Sequence, residues 1–311
     1  MTAEPPETAP DQGEAQGQTN MQTLVQAWTA AGARLKSARV DSPVIDARLL
    51  LEAAAGATRT DILTDPHRPL TSEQQARLAD YLERRSRREP VSRILGRKGF
   101  WKIALKVTPH VLSPRPDTET VVDTVLRDFP EGMAFTVLDM GVGSGAILLS
   151  ILTDRPAARG LGTDISDEAL AVARENAALL DLNNRAAFLR TSWADGLGDD
   201  SFDVVVSNPP YIASEEIDSL EPEVRDHDPR LALDGGPDGM EAYRGLAPEV
   251  LRVLKPGGLF AVEIGHTQGG AVGRLFTDAG AEGVSVVRDL SDRDRVVTGH
   301  KNPLGKPVGT R

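Results

Sequence analysis

The chain contains no cysteine, so neither disulfides nor thiolate metal sites are open to it. Its five histidines are scattered without the spacing of a metal-ligand set, and no metal is expected. No apolar run reaches transmembrane length. Residues 1–20 have no Lys or Arg to begin a secretory signal and no apolar core to continue one. With Glu4, Glu7, Asp11 and Glu14 and no apolar periodicity, they read as a disordered tail. A cytoplasmic protein without membrane contact is therefore expected. Positive charge is also scarce: 35 basic residues stand against 46 acidic ones, a net charge of −11. That balance argues against affinity built on broad phosphate contact, so no stable nucleic-acid binding is expected. One local basic cluster, Arg84, Arg85, Arg87 and Arg88 beside Glu83 and Glu89, reads as a solvated last helical turn, where cations suit the helix dipole.

Against these absences stands Asn208-Pro209-Pro210-Tyr211, which follows the apolar run Phe202 to Ser207. The run reads as a buried strand, and two prolines cannot continue its ladder, so the chain must turn out of the sheet there. In an open α/β sheet that is the edge where ligands bind. A planar nitrogen substrate would find acceptors in the Asn208 side-chain oxygen and the Pro209 carbonyl, and a stacking face in Tyr211.

A second motif lies upstream. Val137 to Met140 reads as a buried strand running into Gly141-Val142-Gly143-Ser144-Gly145 and then an apolar helix. A strand, a glycine turn and a helix start make a nucleotide cradle, because glycines allow close backbone approach and the helix offers free N–H groups. The G-x-G-x-G spacing differs from the G-x-G-x-x-G that fits a dinucleotide pyrophosphate. Asp164 ends the next apolar stretch and is placed to accept hydrogen bonds from ribose hydroxyls. A helix cap would also explain a carboxylate there, but Ser166 already fits that task.

The glycine loop, Asp164 and the Asn-Pro-Pro-Tyr turn together resemble a class I S-adenosylmethionine (SAM) methyltransferase of the amino-methylating kind. Further stretches narrow the resemblance: Pro90 to Gly96, Phe100-Trp101, Val111 to Glu119, Ser192-Trp193 and Asp294 to Val297. They are similar to the protein glutamine N5-methyltransferases of the PrmC/HemK type, which act on peptide chain release factors. The resemblance implies SAM as cofactor, bound by Gly141, Val142, Gly143, Ser144, Gly145, Asp164, Trp193 and Asn208. It implies release factors as protein substrate, with the glutamine of a Gly-Gly-Gln motif held by Asn208, Pro209, Pro210 and Tyr211. Trp193 would pack on the adenine. Val142 stands where Thr or Cys is frequent in the family, which removes a hydroxyl near the SAM carboxylate. Ser113 and Asp117 are smaller departures. The alternatives kept beside this reading are an adenine-N6 methyltransferase and a ribosomal-protein glutamine methyltransferase.

The expected fold class is α/β: a Rossmann-like class I methyltransferase sheet of seven strands, with an N-terminal helical bundle joined by a β-hairpin linker. The expected divisions are residues 1–20 for the tail, 21–89 for a helical substrate-docking domain, 90–115 for an extended linker with a hairpin, and 116–311 for the methyltransferase domain. In the bundle, Leu24, Trp28, Ala31 and Leu35 share one helical face. Ser42-Pro43 starts a second helix carrying Val44, Ile45, Leu49 and Leu50 and stopped at Gly56, and Thr71 with Gln74 opens a third. Strands are expected at 135–139, 160–164, 186–190, 202–207, 258–264, 284–289 and 294–299, one of the last two running antiparallel. A monomer is expected.

Methyl transfer from a sulfonium expels a neutral thioether, so no acid is needed. The difficulty is the amide nucleophile, whose lone pair is delocalised into its carbonyl. Acceptors fixed on both N–H hydrogens, at Asn208 and Pro209, raise density on nitrogen and aim it, so catalysis by positioning is expected, with no His or Glu base.

Overall fold

The computed structural model describes residues 22–304, so the expectation of a disordered tail at 1–20 lies outside the described residues. The chain divides into two compact units between Arg87 and Arg88.

The first unit is helical. Helix α1 (Leu24–Ser37) opens on a capping box between Thr23 and Gln26 and buries Leu24, Ala27, Ala31 and Leu35. Trp28 lies at the border of that stripe, half-buried, and donates its indole N–H to the Val44 carbonyl at 3.1 Å. Helix α2 (Pro43–Ala55) has its proline in the first turn and ends at Gly56, whose φ of 59° needs no Cβ. Its buried face is Ala47, Leu50, Leu51, Ala54 and Ala55, whereas Val44 and Ile45 are exposed. The expected stripe weighed side-chain size, but alanines select the face because they allow neighbouring helices to approach closely. A short helix α3 (Arg59–Thr64), not anticipated, is held by a capping box between Thr58 and Asp61. Helix α4 (Ser72–Ser86) opens on the expected Thr71–Gln74 box and buries Leu78 and Leu82. Its last turn corrects the expectation of a solvated basic cluster. Arg85 is buried and paired with Asp46 at 2.8 Å, and Arg87 pairs with Glu83 at 2.7 Å.

The second unit begins with a segment expected to be extended. Instead Val91–Leu95 forms one short helix, α5, stopped by the left-handed Gly96. Strands β1 (Arg97–Phe100) and β2 (Ile103–Lys106) then form the expected antiparallel hairpin. A 3₁₀ turn, Pro116–Thr118, leads into α6 (Glu119–Asp128). From there strand and helix alternate: β3 (Thr136–Met140), α7 (Ala146–Asp154), β4 (Arg159–Asp164), α8 (Asp167–Leu179), β5 (Ala186–Arg190) and β6 (Phe202–Ser207). After an insert carrying the one-turn helix α9 (Pro222–Arg225) come α10 (Glu241–Val253), β7 (Leu254–Glu263), α11 (Gly269–Asp278), β8 (Ala281–Arg288) and β9 (Asp294–Lys301). In this unit Arg88, the last residue of the basic cluster, pairs with Glu223 at 2.7 Å and Glu221 at 3.1 Å.

Among the described residues seven strands form one sheet in the order β5-β4-β3-β6-β7-β9-β8. The first five are parallel, and β9 runs antiparallel to both of its neighbours. Strand β7 starts earlier than expected, at Leu254, because pairing with Phe202 resumes across a register shift at Pro256-Gly257-Gly258. Alternate residues feed two cores, as a doubly wound sheet requires. Val137, Val204, Val206 and Ala261 pack with residues of α6, α7 and α8. Leu138, Val205, Phe260 and Val262 pack on the opposite face with α10 and α11, where Phe260 and Phe276 stack at 4.2 Å between centroids. No helix among the described residues is long and apolar enough to cross a membrane.

Candidate active site

The strand order reverses direction between β3 and β6: the chain leaves β3 toward β4 on one side and returns to β6 on the other. A crevice must open at the carboxyl ends of those two strands. The two motifs singled out in the sequence are the segments that leave them. Met140 pairs in register with Ser207, whose hydroxyl donates to the Met140 carbonyl at 2.7 Å. Gly141 and Asn208 therefore start side by side. A cavity of about 420 Å³ lies there, lined by Gly141, Val142, Gly143, Ser144, Asp164, Trp193, Asn208, Pro209 and Pro210 among others.

Gly141, Gly143 and Gly145 all have left-handed backbones, with φ of 74°, 52° and 85°. The loop is pinned beneath by N–H groups of Gly141 and Val142, both donating to the Thr163 carbonyl at 2.8 and 2.9 Å. A Cβ on Gly143 would meet nothing within 4 Å, so that glycine faces open space. Gly145 lies outside the lining; it caps α7, and a Cβ there would strike Leu149 at 2.8 Å.

Asp164 is oriented by two backbone donors, Gly143 N–H on Oδ2 and Ser166 N–H on Oδ1, each at 3.0 Å. A carboxylate has about four lone-pair sites, so acceptor capacity remains toward the cavity. Ser166 does cap α8, accepting from Ala169 N–H. Trp193 is half-buried with a φ of 47°, and its carbonyl accepts from the Thr163 hydroxyl at 2.7 Å. Its side chain packs against the core shared with α10 and α11 while also lining the cavity.

Asp139 is a site residue that the sequence reasoning missed. It is fully buried in β3, accepts from Leu148 N–H at 3.1 Å, and its Oδ1 has no partner. Burial, reinforced by the Asp164 charge, pushes its carboxyl up to about 7. It lines the cavity, where a cation would restore its ionised form. The available signal was a lone carboxylate in the apolar run Val137 to Met140.

On the other lip, Asn208 donates its Nδ2–H to the Thr118 hydroxyl at 3.2 Å, leaving Oδ1 for a ligand. Pro209 can only accept. Tyr211, expected to offer a stacking face, is not among the residues lining this cavity, and its half-buried ring packs against the core shared with α10 and α11. Its carbonyl accepts from Gln268 Nε2 at 3.0 Å, and its hydroxyl lies near the buried Glu263 carboxylate. Burial pushes the ionisation of that hydroxyl to higher pH. Gly235 closes over this turn, where a Cβ would lie 2.8 Å from the Tyr211 Cα.

The remaining wall is tied together by charge. Asp228, from the insert after β6, is buried and accepts from Arg93 Nη2 and Arg115 Nη2, each at 2.6 Å. Arg93 also donates to the Thr108 and Val111 carbonyls. This bridge holds the segment 108–115 against residues 229–234, both of which line the cavity.

The chain matches a model of the PrmC N-terminal domain over residues 26–96 and one of a methyltransferase domain over residues 132–276. It is 70% identical over 286 residues to the release factor glutamine methyltransferase of Caulobacter vibrioides, covering 92% of this chain and 99% of that one. The family is decided by that likeness. The chain belongs to the release factor glutamine methyltransferases. Members so named from Bradyrhizobium diazoefficiens and Agrobacterium fabrum are 44% and 42% identical, over 91% and 86% of this chain and 96% and 94% of theirs. As a member of this family it is a SAM-dependent methyltransferase, and its sheet of seven strands is the one that the glycine loop and the proline turn led the sequence analysis to expect.

Proposed function

We propose that the chain methylates the side-chain amide nitrogen of the glutamine in the Gly-Gly-Gln loop of peptide chain release factors. The observation that carries the proposal is the placing of Asn208 and Pro209 on the same cavity as the glycine loop, on adjacent strands in register. The residues present fit SAM. The unpaired Asp139 Oδ1 suits an ammonium group, Asp164 suits ribose hydroxyls, and the cavity has the size of a small-molecule site. Bound there, SAM supplies an electrophilic methyl group on sulfur.

The chain's own residues must then present the nucleophile. Asn208 Oδ1 and the Pro209 carbonyl each accept one N–H of the glutamine amide, turning its nitrogen toward the methyl group. Each accepted hydrogen bond also shifts electron density onto that nitrogen and offsets the amide resonance. Trp193 supplies an apolar wall for the adenine. Tyr211 acts beneath the site, holding the proline turn against the core. The sulfur leaves as a neutral thioether, and the methylated nitrogen sheds its extra proton to water.

Incubation of labelled SAM with release factors, followed by mass-spectrometric mapping, tests the substrate. Label on the Gly-Gly-Gln glutamine is expected. Label on adenine in DNA, or on a ribosomal protein alone, would replace this reading with one of its alternatives.

A further inference from the structure

Behind Asn208 lies a buried polar chain that the reaction as described does not use. Asn208 Nδ2 donates to the Thr118 hydroxyl at 3.2 Å, and Thr118 is itself buried. Thr118 also lies near the carboxylate of Glu263, the last residue of β7, which is 1% exposed, and favours its ionised form. Glu263 Oε2 has no partner. The strand end is fixed by the Tyr243 hydroxyl, which donates to the Glu263 carbonyl at 3.0 Å. A buried carboxylate is costly to maintain and calls for a reason.

We propose that Glu263 and Thr118 are positioning residues that set the direction of the Asn208 amide, so that its oxygen and not its NH₂ group meets the substrate. The inference rests on the role proposed for Asn208. An amide group is nearly symmetric in shape, and its two ends differ only in hydrogen bonding. A threonine hydroxyl can donate or accept. With the Glu263 carboxylate taking its hydrogen, the Thr118 oxygen offers only lone pairs to Asn208, and Asn208 must answer with N–H. Reversing the chain would turn the Asn208 NH₂ toward the glutamine NH₂, donor against donor, and the nucleophile would be lost from its pose.

The chain's direction depends on Glu263 being ionised. Burial pushes its carboxyl up to about 7, opposed by Thr118, the Arg295 charge and Tyr211, and aided by Asp117. Arg295 is shared with Asp117 at 3.2 Å and Asp289 at 3.1 Å, while Arg115, Tyr211 and Tyr243 complete the surrounding titratable groups. Below that pH a protonated Glu263 can donate to Thr118, and the chain loses its direction.

Single-turnover methyl transfer at saturating SAM and release factor tests this. Thr118→Val should slow transfer by about 10- to 10²-fold, the worth of one hydrogen bond to a charged or reacting group, and Thr118→Ser should restore it. SAM affinity, read by calorimetry, should be unchanged in both, which also reports folding. Glu263→Gln, which like the protonated acid can donate to Thr118, should transfer at the reduced rate the wild type shows at low pH and lose the acid limb of the pH profile. In an Asn208→Ala background Thr118→Val should cost nothing further. The positioning role is overturned if Asn208→Ala abolishes transfer while Thr118→Val leaves it near normal, or if the Thr118→Val loss persists without Asn208. Near-normal transfer by Asn208→Ala would instead remove the role of Asn208 itself, and this inference with it.

Discussion

At the scale of single residues, two carboxylates of the site differ in burial and in the work they do. Asp139 has a native carboxyl near 7 against an ordinary value of 3.8, chiefly through desolvation. As pH rises from about 4 to 7 the unfolded chain releases that proton while the native protein keeps it, so Asp139 subtracts stability across this window and nothing further above it. Asp139→Asn should therefore stabilise the SAM-free protein at pH 8, by as much as about 4 kcal/mol, and flatten the decline measured by denaturant titration. The thermal shift produced by SAM should grow with pH in the wild type and not in the variant. Asp164→Ala should weaken SAM binding by about 1.5–3 kcal/mol in calorimetry, the usual worth of a charge-assisted hydrogen bond. Asn208→Ala should slow methyl transfer by about 10² to 10³, with little change in SAM affinity. Asp164 and Asn208 were legible in the sequence because each sits at a break in an apolar pattern. Asp139 and Glu263 left only the signal of a lone carboxylate in an apolar strand, which was not read, and Thr118 left none, because a polar residue at a helix start has no spacing signature.

At the scale of elements, strand and helix periodicity was legible wherever both faces of the sheet are covered. The strands at 186–190 and 202–207 fall where expected, and β9 is the antiparallel one of the last pair. The misreadings came where packing overrides pattern. Helix α2 buries alanines in place of Val44 and Ile45, and Arg85 turns inward to Asp46. The glycine loop separates two uses of the same residue type. Gly145→Ala places a Cβ against Leu149 at a φ of 85°, so it should lower stability by about 1–2 kcal/mol in urea denaturation. Gly143→Ala carries a backbone cost of about 1 kcal/mol at its φ of 52°, and because its Cβ enters open cavity space it should in addition weaken SAM binding.

At the scale of the whole molecule, the lining of the cavity is drawn from residues 109–234, all within the second unit. A fragment beginning at Arg88 should therefore bind SAM with unchanged affinity, measured by calorimetry, while the helical unit of residues 22–87 should be needed for methylation of an intact release factor. Equal methylation by the fragment would remove the docking role expected of that unit. The sequence led to an expected linker at 90–115 before a methyltransferase domain from 116, whereas the chain divides between Arg87 and Arg88. The wall of the cavity was not legible, because Arg93 and Asp228 are 135 residues apart. That separation has a consequence for how the protein comes into being. Closing a loop of this length costs about 4 kcal/mol in chain entropy, comparable with the cost of breaking a buried ion pair, so the bridge cannot form ahead of the sheet that brings its ends together. A refolding chain should regain its secondary structure first and its ability to hold SAM later, and during synthesis the pocket stays unfinished until the ribosome has passed Asp228.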